Sequence, residues 1–482
     1  MFDKPHEECG VFGVFNHNDY NLAHEIYLGL YSLQHRGQLS CGIAVNHGND
    51  IVNVYKGEGL VPDVLNSDAL TKLSLTGKGR MSNGKTGIGH VRYAPKNASD
   101  SENDQPIVMR YARGTIAIAN NGHLLNSNEL RSKLHNSGAV FQTGSDAELI
   151  GYMIARKRLE TNFVEEAIVE VMKELYGAYS FVLLSPKKLV AVRDPQGFRP
   201  LCIGRLSDSY VVASESCSIK GIGGDVIRDI LPGELVVITN DGITSIKNHC
   251  GQKSSLCVFE HVYFSRPDSV IDGMGVHDFR LRAGELLARE HPVEADVVIG
   301  VPDSGLDAAM GYSAESGIPY EIGLIKNRYI GRTFIQDNRL EREKSVHIKL
   351  NPVKSVLSNK RVVLVDDSIV RGTTSEHIVH LIKAAGAKEV HMRISSPPFL
   401  NPCYFGTDIS SRTQLLAHNL SCESVSKKIG ADSLGYLSLD SLKELSLKSN
   451  TLFCTGCFSG KYPLNVRKIN TSDKFAIKLQ KK

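Results

Sequence analysis

The stretch Arg361-Val-Val-Leu-Val-Asp-Asp-Ser-Ile-Val-Arg-Gly-Thr-Thr-Ser375 decides the fold of the second half of the chain. Val362 to Val365 is an unbroken aliphatic run, which is typical of a strand buried on both faces of a parallel sheet. Two carboxylates follow, and then a loop of small and hydroxyl residues that opens onto a predicted helix from Glu376 to Ala385. Because ligands bind at the carboxyl ends of such strands, the stretch predicts a ligand site.

The residues of this loop suit a phosphorylated ligand. Gly372 allows close approach of the backbone, while Thr373, Thr374 and the helix N-terminus offer donors and a positive dipole to a phosphate. Asp366 and Asp367 would repel a phosphate alone, but carboxylates accept hydrogen bonds from ribose hydroxyls and bind Mg²⁺. The loop contains no Gly-Lys-Ser/Thr and is therefore not a Walker loop. The alternative is a buried strand that ends in a solvated Asp-Asp turn.

The run resembles the phosphoribosyl-pyrophosphate (PRPP) signature of the type I phosphoribosyltransferases. This resemblance implies that the ribose hydroxyls and the Mg²⁺ of bound PRPP lie near Asp366 and Asp367. It also implies that the 5′-phosphate binds the loop that follows, at Arg371, Gly372, Thr373, Thr374 and Ser375.

A second segment repeats the plan of strand, small-residue loop and helix. Val297 to Val301 is another aliphatic run, Pro302-Asp-Ser-Gly305 is the loop, and Gly305 to Gly317 is predicted to be a helix. The loop suits an anion such as pyrophosphate, and Ser304 is a candidate indirect ligand of Mg²⁺. A simple strand-to-helix turn is the alternative.

Between these segments lies the basic stretch Lys326-Asn-Arg-Tyr-Ile-Gly-Arg-Thr-Phe334. It resembles the mobile loop that closes over PRPP in the same family and excludes water from the reacting carbon. The resemblance implies that Lys326 and Arg332 contact phosphate. A charged surface hairpin is the competing interpretation.

The composition is that of a globular chain in a reducing compartment. Its 482 residues predict two or three domains, and its hydrophobic content of 41% and charged content of 22% are ordinary. The formal charge of +4 argues against a nucleic-acid partner, and no apolar run is long enough for a membrane span. The first eight residues lack the apolar core of a secretion signal. We therefore expect a cytoplasmic protein whose ten cysteines do not form a disulfide framework.

The first half of the chain opens on a candidate nucleophile. Cys9 to Phe15 has the pattern of a strand, and Ala23 to Gln34 that of an amphipathic helix. A short acidic leader, residues 1–8, precedes Cys9. Its removal would make Cys9 the N-terminal residue, so that its own α-amino group could serve as the general base for the thiol. The alternative is a buried, inert cysteine.

Residues suited to glutamine follow in chain order. Arg92 can form paired hydrogen bonds with an α-carboxylate, and Asp146 can hold an α-ammonium group. Asn121 and the amide of Gly122 can stabilise a tetrahedral oxyanion. Taken singly, each has another interpretation: Arg92 suits a surface ion pair, Asp146 a helix cap, and Asn121-Gly122 a hairpin turn. Together with Cys9 they resemble the N-terminal-nucleophile glutamine amidotransferases, which implies an α+β domain with αββα layers.

Two further segments, Gln34-His-Arg-Gly37 and Arg193-Asp-Pro-Gln-Gly-Phe-Arg-Pro200, also resemble that family. One segment departs from it. After Arg92-Tyr93 the family continues with a threonine and then a glycine, whereas this chain has Ala94-Pro95-Lys96-Asn97. The departure falls in the loop that is expected to close over glutamine.

Four segments are predicted: a propeptide at 1–8, a glutaminase domain at 9–240, an α/β phosphoribosyltransferase domain with a parallel sheet at 256–465, and a basic tail at 466–482. The order of the two halves resembles the glutamine-dependent phosphoribosyltransferases. That family transfers ammonia from glutamine to C1 of PRPP in the first committed step of purine synthesis. The resemblance also implies a homotetramer with purine nucleotides as feedback inhibitors.

Four separated cysteines favour one branch of that family. Cys-x-x-Cys alone suits zinc, an iron–sulfur cluster or a thiol redox pair. One branch holds a [4Fe–4S] cluster and has a cleaved leader, and the sequences around Cys257, Cys403, Cys454 and Cys457 match it. The resemblance therefore implies a [4Fe–4S] cluster, with tetrahedral zinc compatible on ligand number alone.

Two other functions are compatible with parts of the sequence. A non-catalytic PRPP-sensing regulator would keep the phosphoribosyltransferase fold, but such proteins usually carry a DNA-binding module. Neither a helix-turn-helix pattern nor a strongly basic domain is evident in the sequence. A degenerate enzyme would have lost glutamine use through its altered loop at residues 94–97.

Overall fold

The computed structural model describes residues 9–17, 21–48, 52–76, 78–93, 101–327, 350–407, 409, 411–447 and 452–466. The predicted leader, the segment 94–97, Arg332 and the tail from residue 467 onward therefore lie outside the described residues. None of the helices in these ranges combines the length and the apolar character that crossing a membrane requires.

Two antiparallel sheets stack face to face in the first half of the chain. Phe15 and Ile88 from one sheet, and Val182 and Leu189 from the other, contribute to the apolar layer between them. In spatial order the first sheet contains Asp225–Asp229, Cys202–Leu206, Ser209–Ala213, Gly10–Phe15, Thr86–Arg92, Ser40–Asn46 and Val52–Glu58. The second contains Gly242–Ile246, Leu235–Thr239, Lys188–Arg193, Ser180–Ser185, Gly114–Asn121 and Ile107–Tyr111.

Helices cover the outer face of each sheet, which confirms the predicted αββα layers. In the strand Gly10–Phe15, Phe12 and Val14 face the helices while Val11 and Phe15 face the second sheet. Both faces of the strand are thus apolar. The helices on the first sheet are Leu22–Ser32, Val61–Val64, Ser67–Leu73 and Ser216–Gly221, and those on the second are Ser127–Asn136, Asp146–Lys157 and Val164–Met172.

The predicted end of the first domain at residue 240 is too early. Residues 240 and 241 form the turn of a hairpin, and the strand Gly242–Ile246 pairs with Leu235–Thr239 at the edge of the second sheet. The side chains of this edge strand are half-buried or exposed, so its hydrophobic pattern is weak.

A parallel sheet forms the centre of the second half, as predicted. Its strands lie in the order Val297–Gly300, Arg361–Asp366, Glu389–Ile394 and Ser433–Tyr436. Val363 and Val365 enter the apolar cluster on one face, and Val362 and Leu364 enter the cluster on the other. The aliphatic run in the sequence reflects this burial on both faces.

Helices pack on both faces of the parallel sheet. Val276–Glu290, Leu306–Ser316 and Leu439–Leu447 lie on one face, and Thr373–Ala384 and Cys422–Ile429 lie on the other. Short helical segments are Ser101–Asn103, Glu260–Phe264, Lys354–Leu357, Arg412–Gln414, Leu416–Asn419 and Gly456–Ser459. Two-stranded pairs are Leu256–Cys257 with Phe453–Cys454, Val270–Ile271 with Met274–Gly275, and Leu324–Lys326 with Leu350–Pro352.

The end of the described chain returns to the first half. Phe453–Cys454 pairs in parallel with Leu256–Cys257, just after the glutaminase domain. Phe405 from the second half stacks on Phe198 from the first, with 4.2 Å between the ring centroids. The cysteine-bearing segments therefore lie where the two halves meet.

Candidate active sites

Cys9 lies at the start of the central strand of the first sheet, beside the strand that carries Arg92. Gly10 is paired with Val91, so the residue before it faces the end of the neighbouring strand. The Sγ of Cys9 lies 3.7 Å from the carbonyl oxygen of Tyr93, within hydrogen-bond distance for sulfur. The pairing of the strands thus brings the predicted nucleophile to the predicted glutamine-binding arginine.

Arg92 is buried and held by an acidic residue that the sequence analysis missed. Its Nη1 lies 2.8 Å from Oδ1 of Asp104, and the hydroxyl of Ser40 donates to the same oxygen at 2.5 Å. Asp104 therefore fixes the orientation of the guanidinium. A single aspartate in a polar turn carries no periodic signal by which the sequence could have revealed this pairing.

Asn121 and Gly122 have the features of an oxyanion site. The carboxamide of Asn121 is fully buried, and neither its Oδ1 nor its Nδ2 has a hydrogen-bond partner among the residues that the structure describes. Buried amides are normally paired, so this group is suited to a substrate oxygen. Gly122 has a φ of 130°, and a Cβ there would lie 2.3 Å from the carbonyl oxygen of Ala178. Only glycine fits at this position.

Asp146 lies close to this pair in the fold. Its Oδ2 accepts hydrogen bonds from the backbone N–H of Leu124 at 2.9 Å and from Nδ1 of His123 at 3.0 Å. The helix-cap alternative does not apply, because the hydroxyl of Ser145 caps this helix by accepting from the N–H of Ala147. Asp146 instead ties the segment after Gly122 to the helix Asp146–Lys157.

His90 connects the two groups of residues that are predicted to bind glutamine. Its Nε2 lies 3.1 Å from the carbonyl oxygen of Asn120, so that the strand of Arg92 in the first sheet meets the strand of Asn121 in the second. Burial lowers the pKa of His90 to about 3, so its ring is neutral near pH 7 and donates from Nε2. The sequence analysis missed this residue as well.

Three neighbouring strand ends meet at the predicted PRPP site. Asp366 and Asp367 are fully buried at the end of the central strand. The hydroxyl of Ser304, in the loop after the first strand, donates to the carboxylate of Asp367. From the end of the third strand, the N–H of Ser395 donates to the carbonyl oxygen of Asp366 at 2.9 Å, and the hydroxyl of Ser396 donates to that of Asp367 at 2.7 Å.

The loop after the two aspartates, which is the predicted phosphate cradle, turns at Gly372 and leads directly into a helix. Gly372 has a φ of 88°, and a Cβ there would lie 2.4 Å from Cδ2 of Leu416. The helix begins directly after it, at Thr373, three residues earlier than predicted. Thr373 is exposed in the first turn and Ser375 is buried. Arg371 donates from Nη2 to Oε1 of Gln414 at 2.8 Å.

Lys326 reaches the loop that is predicted to bind pyrophosphate. It ends the short strand Leu324–Lys326, and its Nζ lies 2.5 Å from Oδ2 of Asp303 in the loop Pro302-Asp-Ser-Gly305. The structure thus places this lysine beside the predicted pyrophosphate loop. Its predicted partner in phosphate binding, Arg332, lies outside the described residues.

Comparison with known proteins supports the division into two halves. A model of the glutamine amidotransferase domain matches residues 90–221, and a model of the phosphoribosyl transferase domain matches residues 282–395. An amidophosphoribosyltransferase of Methanocaldococcus jannaschii is 47% identical over 474 residues, which covers 95% of this chain and 98% of the relative. That of Bacillus subtilis is 45% identical over 466 residues and covers 95% of each chain.

The chain belongs to the amidophosphoribosyltransferase family. Solved structures agree with this: glutamine PRPP amidotransferase from B. subtilis, complexed with ADP and GMP, has a TM-score of 0.87 at 44% identity over 95% of this chain and 98% of that chain. A structure described as the allosteric regulatory enzyme of purine biosynthesis has a TM-score of 0.88 at 44% identity, covering 95% and 97%.

As an amidophosphoribosyltransferase, the protein is an enzyme with a glutaminase domain followed by a phosphoribosyltransferase domain, and it catalyses the first step of purine biosynthesis. The predicted fold class and activity are confirmed. The interpretation as a non-catalytic PRPP-sensing regulator is wrong, because relatives along nearly the whole chain are amidophosphoribosyltransferases.

The four cysteines whose local sequences match one branch of the amidophosphoribosyltransferases lie on three segments that the fold brings together. Cys257 and Cys454 are opposite each other in a parallel strand pair. The N–H of Asn401 donates to the carbonyl oxygen of Cys457 at 2.9 Å, which holds the segment of Cys403 beside it. No disulfide joins any of the ten cysteines, all of which lie in the described ranges.

Burial affects the acidity of three of these thiols, Cys257, Cys454 and Cys457. Burial raises the pKa values of Cys257 and Cys457 well above the ordinary value of a thiol, and it raises the pKa of Cys454 to about 12. In all three, repulsion from Cys403 adds to the rise. Within the described ranges, no group of three or more His, Cys, Asp or Glu side chains is arranged to hold a metal ion.

Proposed function

We propose that Cys9, after removal of residues 1–8, is the glutaminase nucleophile. Its α-amine takes the thiol proton while Sγ attacks the side-chain amide carbon of glutamine. The C–N bond then breaks, the α-amine returns the proton to the departing ammonia, and a thioester remains. Water hydrolyses this thioester to glutamate and restores the thiol. The buried Asn121 carboxamide, which has no partner within the described residues, supports this proposal most strongly.

The other glutaminase residues bind and polarise the substrate. The Nδ2–H of Asn121 and the N–H of Gly122 donate to the oxyanion. Arg92, oriented by Asp104, binds the α-carboxylate of glutamine, and Asp146 binds its α-ammonium group.

In the second half, PRPP lies across the three converging strand ends. Asp366 and Asp367 accept hydrogen bonds from the ribose hydroxyls, and the loop from Arg371 to Ser375 holds the 5′-phosphate. Lys326 and Arg332 contact the pyrophosphate. Ammonia attacks C1 from the face opposite the pyrophosphate, the C1–O bond breaks, and loss of one proton gives 5-phosphoribosylamine with inversion.

The same strand ends suit Mg²⁺. The carboxylates of Asp366 and Asp367 and the hydroxyl of Ser304 are the hard oxygen ligands that this cation prefers, and Ser304 and Asp367 are already in contact. When bound, Mg²⁺ neutralises negative charge on the pyrophosphate leaving group.

We propose that Cys257, Cys403, Cys454 and Cys457 hold a [4Fe–4S] cluster, which places the chain in the branch with a cleaved leader. The fold brings the segments of these four thiols together, and four thiols suit thiolate ligation; because the side chains as they stand are not arranged to hold a metal ion, the proposal rests on the sequence match and on this shared neighbourhood. When bound, the cluster cross-links the end of the chain to the junction of the two halves. Zinc is the alternative occupant of four thiolates.

Resemblance to the family supports a further proposal about assembly and regulation. We propose a cytoplasmic homotetramer inhibited by purine nucleotides. The solved B. subtilis relative is complexed with ADP and GMP, which supports the choice of inhibitor.

The decisive experiment measures glutamate formation by anaerobically purified enzyme with Mg²⁺, with and without PRPP, beside pyrophosphate release with ammonia. We expect PRPP to raise glutamate formation. The Cys9→Ala variant should lose glutamine use and keep the ammonia reaction, whereas Cys422→Ala should keep both. Glutamine-dependent turnover in Cys9→Ala would contradict the nucleophile assignment. If the parent releases pyrophosphate with ammonia but forms no glutamate from glutamine, the protein is a degenerate enzyme that has lost glutamine use.

A further inference from the structure

A buried arginine joins the glutaminase nucleophile to the second half of the chain. The Nε–H of Arg36 donates to the carbonyl oxygen of Cys9 at 3.0 Å. Its Nη1 and Nη2 donate to the carboxylate of Glu260, at 2.9 and 3.0 Å, and Nη1 also lies 2.7 Å from Oε1 of Glu215. The three side chains are fully buried. Glu260 lies in the helical turn Glu260–Phe264, beyond the last strand of the glutaminase domain.

The charges in this cluster are matched, so that the guanidinium stays ionised. Burial alone would lower the pKa of Arg36, but Glu260 and Glu215 outweigh it and raise that pKa. For the carboxyl of Glu260 the effects have the opposite signs. Burial alone would raise its pKa, but the positive charges of Arg36 and Arg199 outweigh burial and lower it. A buried cation with a planar set of donors has few alternative geometries, and its orientation is set by the carboxylates that pair with it.

The network continues toward the PRPP site. The hydroxyl of Ser265 donates to Glu260 at 3.1 Å, and the carbonyl oxygen of Ser265 accepts from Nη2 of Arg280 at 2.8 Å. Nη1 of Arg280 lies 4.0 Å from Oδ2 of Asp307, in the first turn of the helix that follows the Pro302-Asp-Ser-Gly305 loop. Polar contacts thus run from the backbone of Cys9 to the first turn of the helix that follows the loop predicted to bind pyrophosphate.

We propose that Arg36 is a positioning residue for Cys9 and that Glu260, supplied by the second half of the chain, sets its geometry. By holding the carbonyl oxygen of Cys9, Arg36 fixes the peptide plane of the nucleophile and thereby the relation of its thiol and α-amine to Asn121 and Gly122. The glutaminase site is then complete only when the two halves are in register. This inference rests on the proposed role of Cys9.

The test compares two variants that each break an ion pair between the halves, one fully buried and one partly buried. Glu260→Gln removes the charge that orients Arg36. Asp272→Asn is the matched control: Asp272 pairs with buried Arg193 at 2.7 and 2.8 Å, and neither residue contacts Cys9. For each enzyme, lacking residues 1–8, one measures kcat and KM for glutamine with PRPP, kcat with ammonia, and the rate at which a diazoketone analogue of glutamine alkylates Cys9.

We expect Glu260→Gln to lower the ratio of glutamine-dependent to ammonia-dependent kcat by about tenfold or more, and to slow alkylation equally. Arg36→Lys should behave similarly, since it keeps the charge but loses the planar fork. Asp272→Asn should lower the melting temperature without moving the ratio. If Glu260→Gln folds poorly, the double variant Arg36→Met/Glu260→Met replaces it, because the charges are removed together.

Two outcomes overturn the inference. One is an unchanged ratio in Glu260→Gln, or in the double variant; the other is an equal fall in Glu260→Gln and Asp272→Asn, which would assign the effect to stability. A parent enzyme that forms no glutamate in the presence of PRPP overturns the proposed function itself. The two failures are therefore distinguishable.

Discussion

The hydroxyl of Ser304 donates a hydrogen bond to the carboxylate of Asp367, although the two residues are 63 positions apart in the chain. The contact joins the loops that follow two neighbouring strands of the parallel sheet. The hydroxyl of Ser368 donates to the other carboxylate oxygen of Asp367 at 2.5 Å. Asp367 therefore holds the two loops of the proposed PRPP site together, in addition to its proposed role as a ligand.

Ser304→Ala should weaken PRPP binding in both reactions. A hydrogen bond to a charged group contributes about 1.5–3 kcal/mol, so we expect KM for PRPP to rise about tenfold or more with either ammonia or glutamine. Ser313→Ala is the control, because Ser313 lies on the adjoining helix and its hydroxyl bonds only to the carbonyl oxygen of Ile318 among the described contacts. Equal KM values in Ser304→Ala and Ser313→Ala would contradict the assignment.

Gly372→Ala should damage the phosphate loop specifically. A left-handed conformation costs a residue with a Cβ about 1–2 kcal/mol, and this Cβ would also collide with Leu416. We expect a lower melting temperature and a higher KM for PRPP. Gly317→Ala is the control, because Gly317 has a φ of 73° but open space around it. Gly317→Ala should lower the melting temperature through the same backbone strain but leave KM for PRPP unchanged. An unchanged KM for PRPP in both variants would argue against the phosphate cradle.

Asn121→Ala should impair only the glutamine reaction. Removal of one oxyanion donor lowers kcat by about 10²–10³-fold, whereas the ammonia reaction does not use this donor. Steady-state measurements of kcat with both nitrogen sources on the same preparation provide the comparison. A parallel loss with ammonia would indicate that Asn121 supports the fold rather than the oxyanion.

Cys457→Ser should remove a cluster ligand. We expect iron and acid-labile sulfide to fall together with the visible absorbance of the cluster, and the melting temperature to drop, because the segment from Phe453 onward loses its cross-link to Cys257. Cys250→Ser, at a cysteine outside the group, should keep the iron. Zinc without iron in the anaerobically purified parent would contradict the [4Fe–4S] proposal.

His90 should make the protein less stable as the pH falls. Its pKa is lowered by burial to about 3, so below its ordinary value of 6.5 the unfolded chain binds a proton that the folded chain does not. The free energy of unfolding then decreases by about 1.4 kcal/mol per pH unit as the pH falls through this window.

The measurement is the difference in urea-unfolding free energy between the parent and His90→Gln from about pH 7 to about pH 4.5. Gln keeps a donor for the carbonyl oxygen of Asn120 but does not titrate, so any advantage of the parent should shrink as the pH falls. The comparison with His90→Gln is needed because Asp194 affects the pH dependence of stability in the opposite direction. Burial raises the pKa of Asp194 to about 6, so as the pH falls the folded chain binds a proton there before the unfolded chain does. A pH-independent difference would contradict the assignment to His90.

The sequence by itself determined the two halves, their order and most residues proposed to act on substrates. This was possible because the motifs are local. An aliphatic strand followed by Asp366-Asp367 and a glycine-containing loop specifies its own site, since the strand end, the loop and the helix N-terminus are adjacent in the chain. The edge strand Gly242–Ile246 was missed because exposure on one side weakens its pattern.

Only the tertiary structure decided which distant residues support those motifs. Asp104 beside Arg92, Ser304 on Asp367, and Glu260 on Arg36 are contacts between segments far apart in the chain. Residue type and spacing carry no signal for such pairs. Burial then decides their chemistry, because an ionised side chain removed from water is stable only with a partner of opposite charge, and that partner is selected by the packing of the sheets.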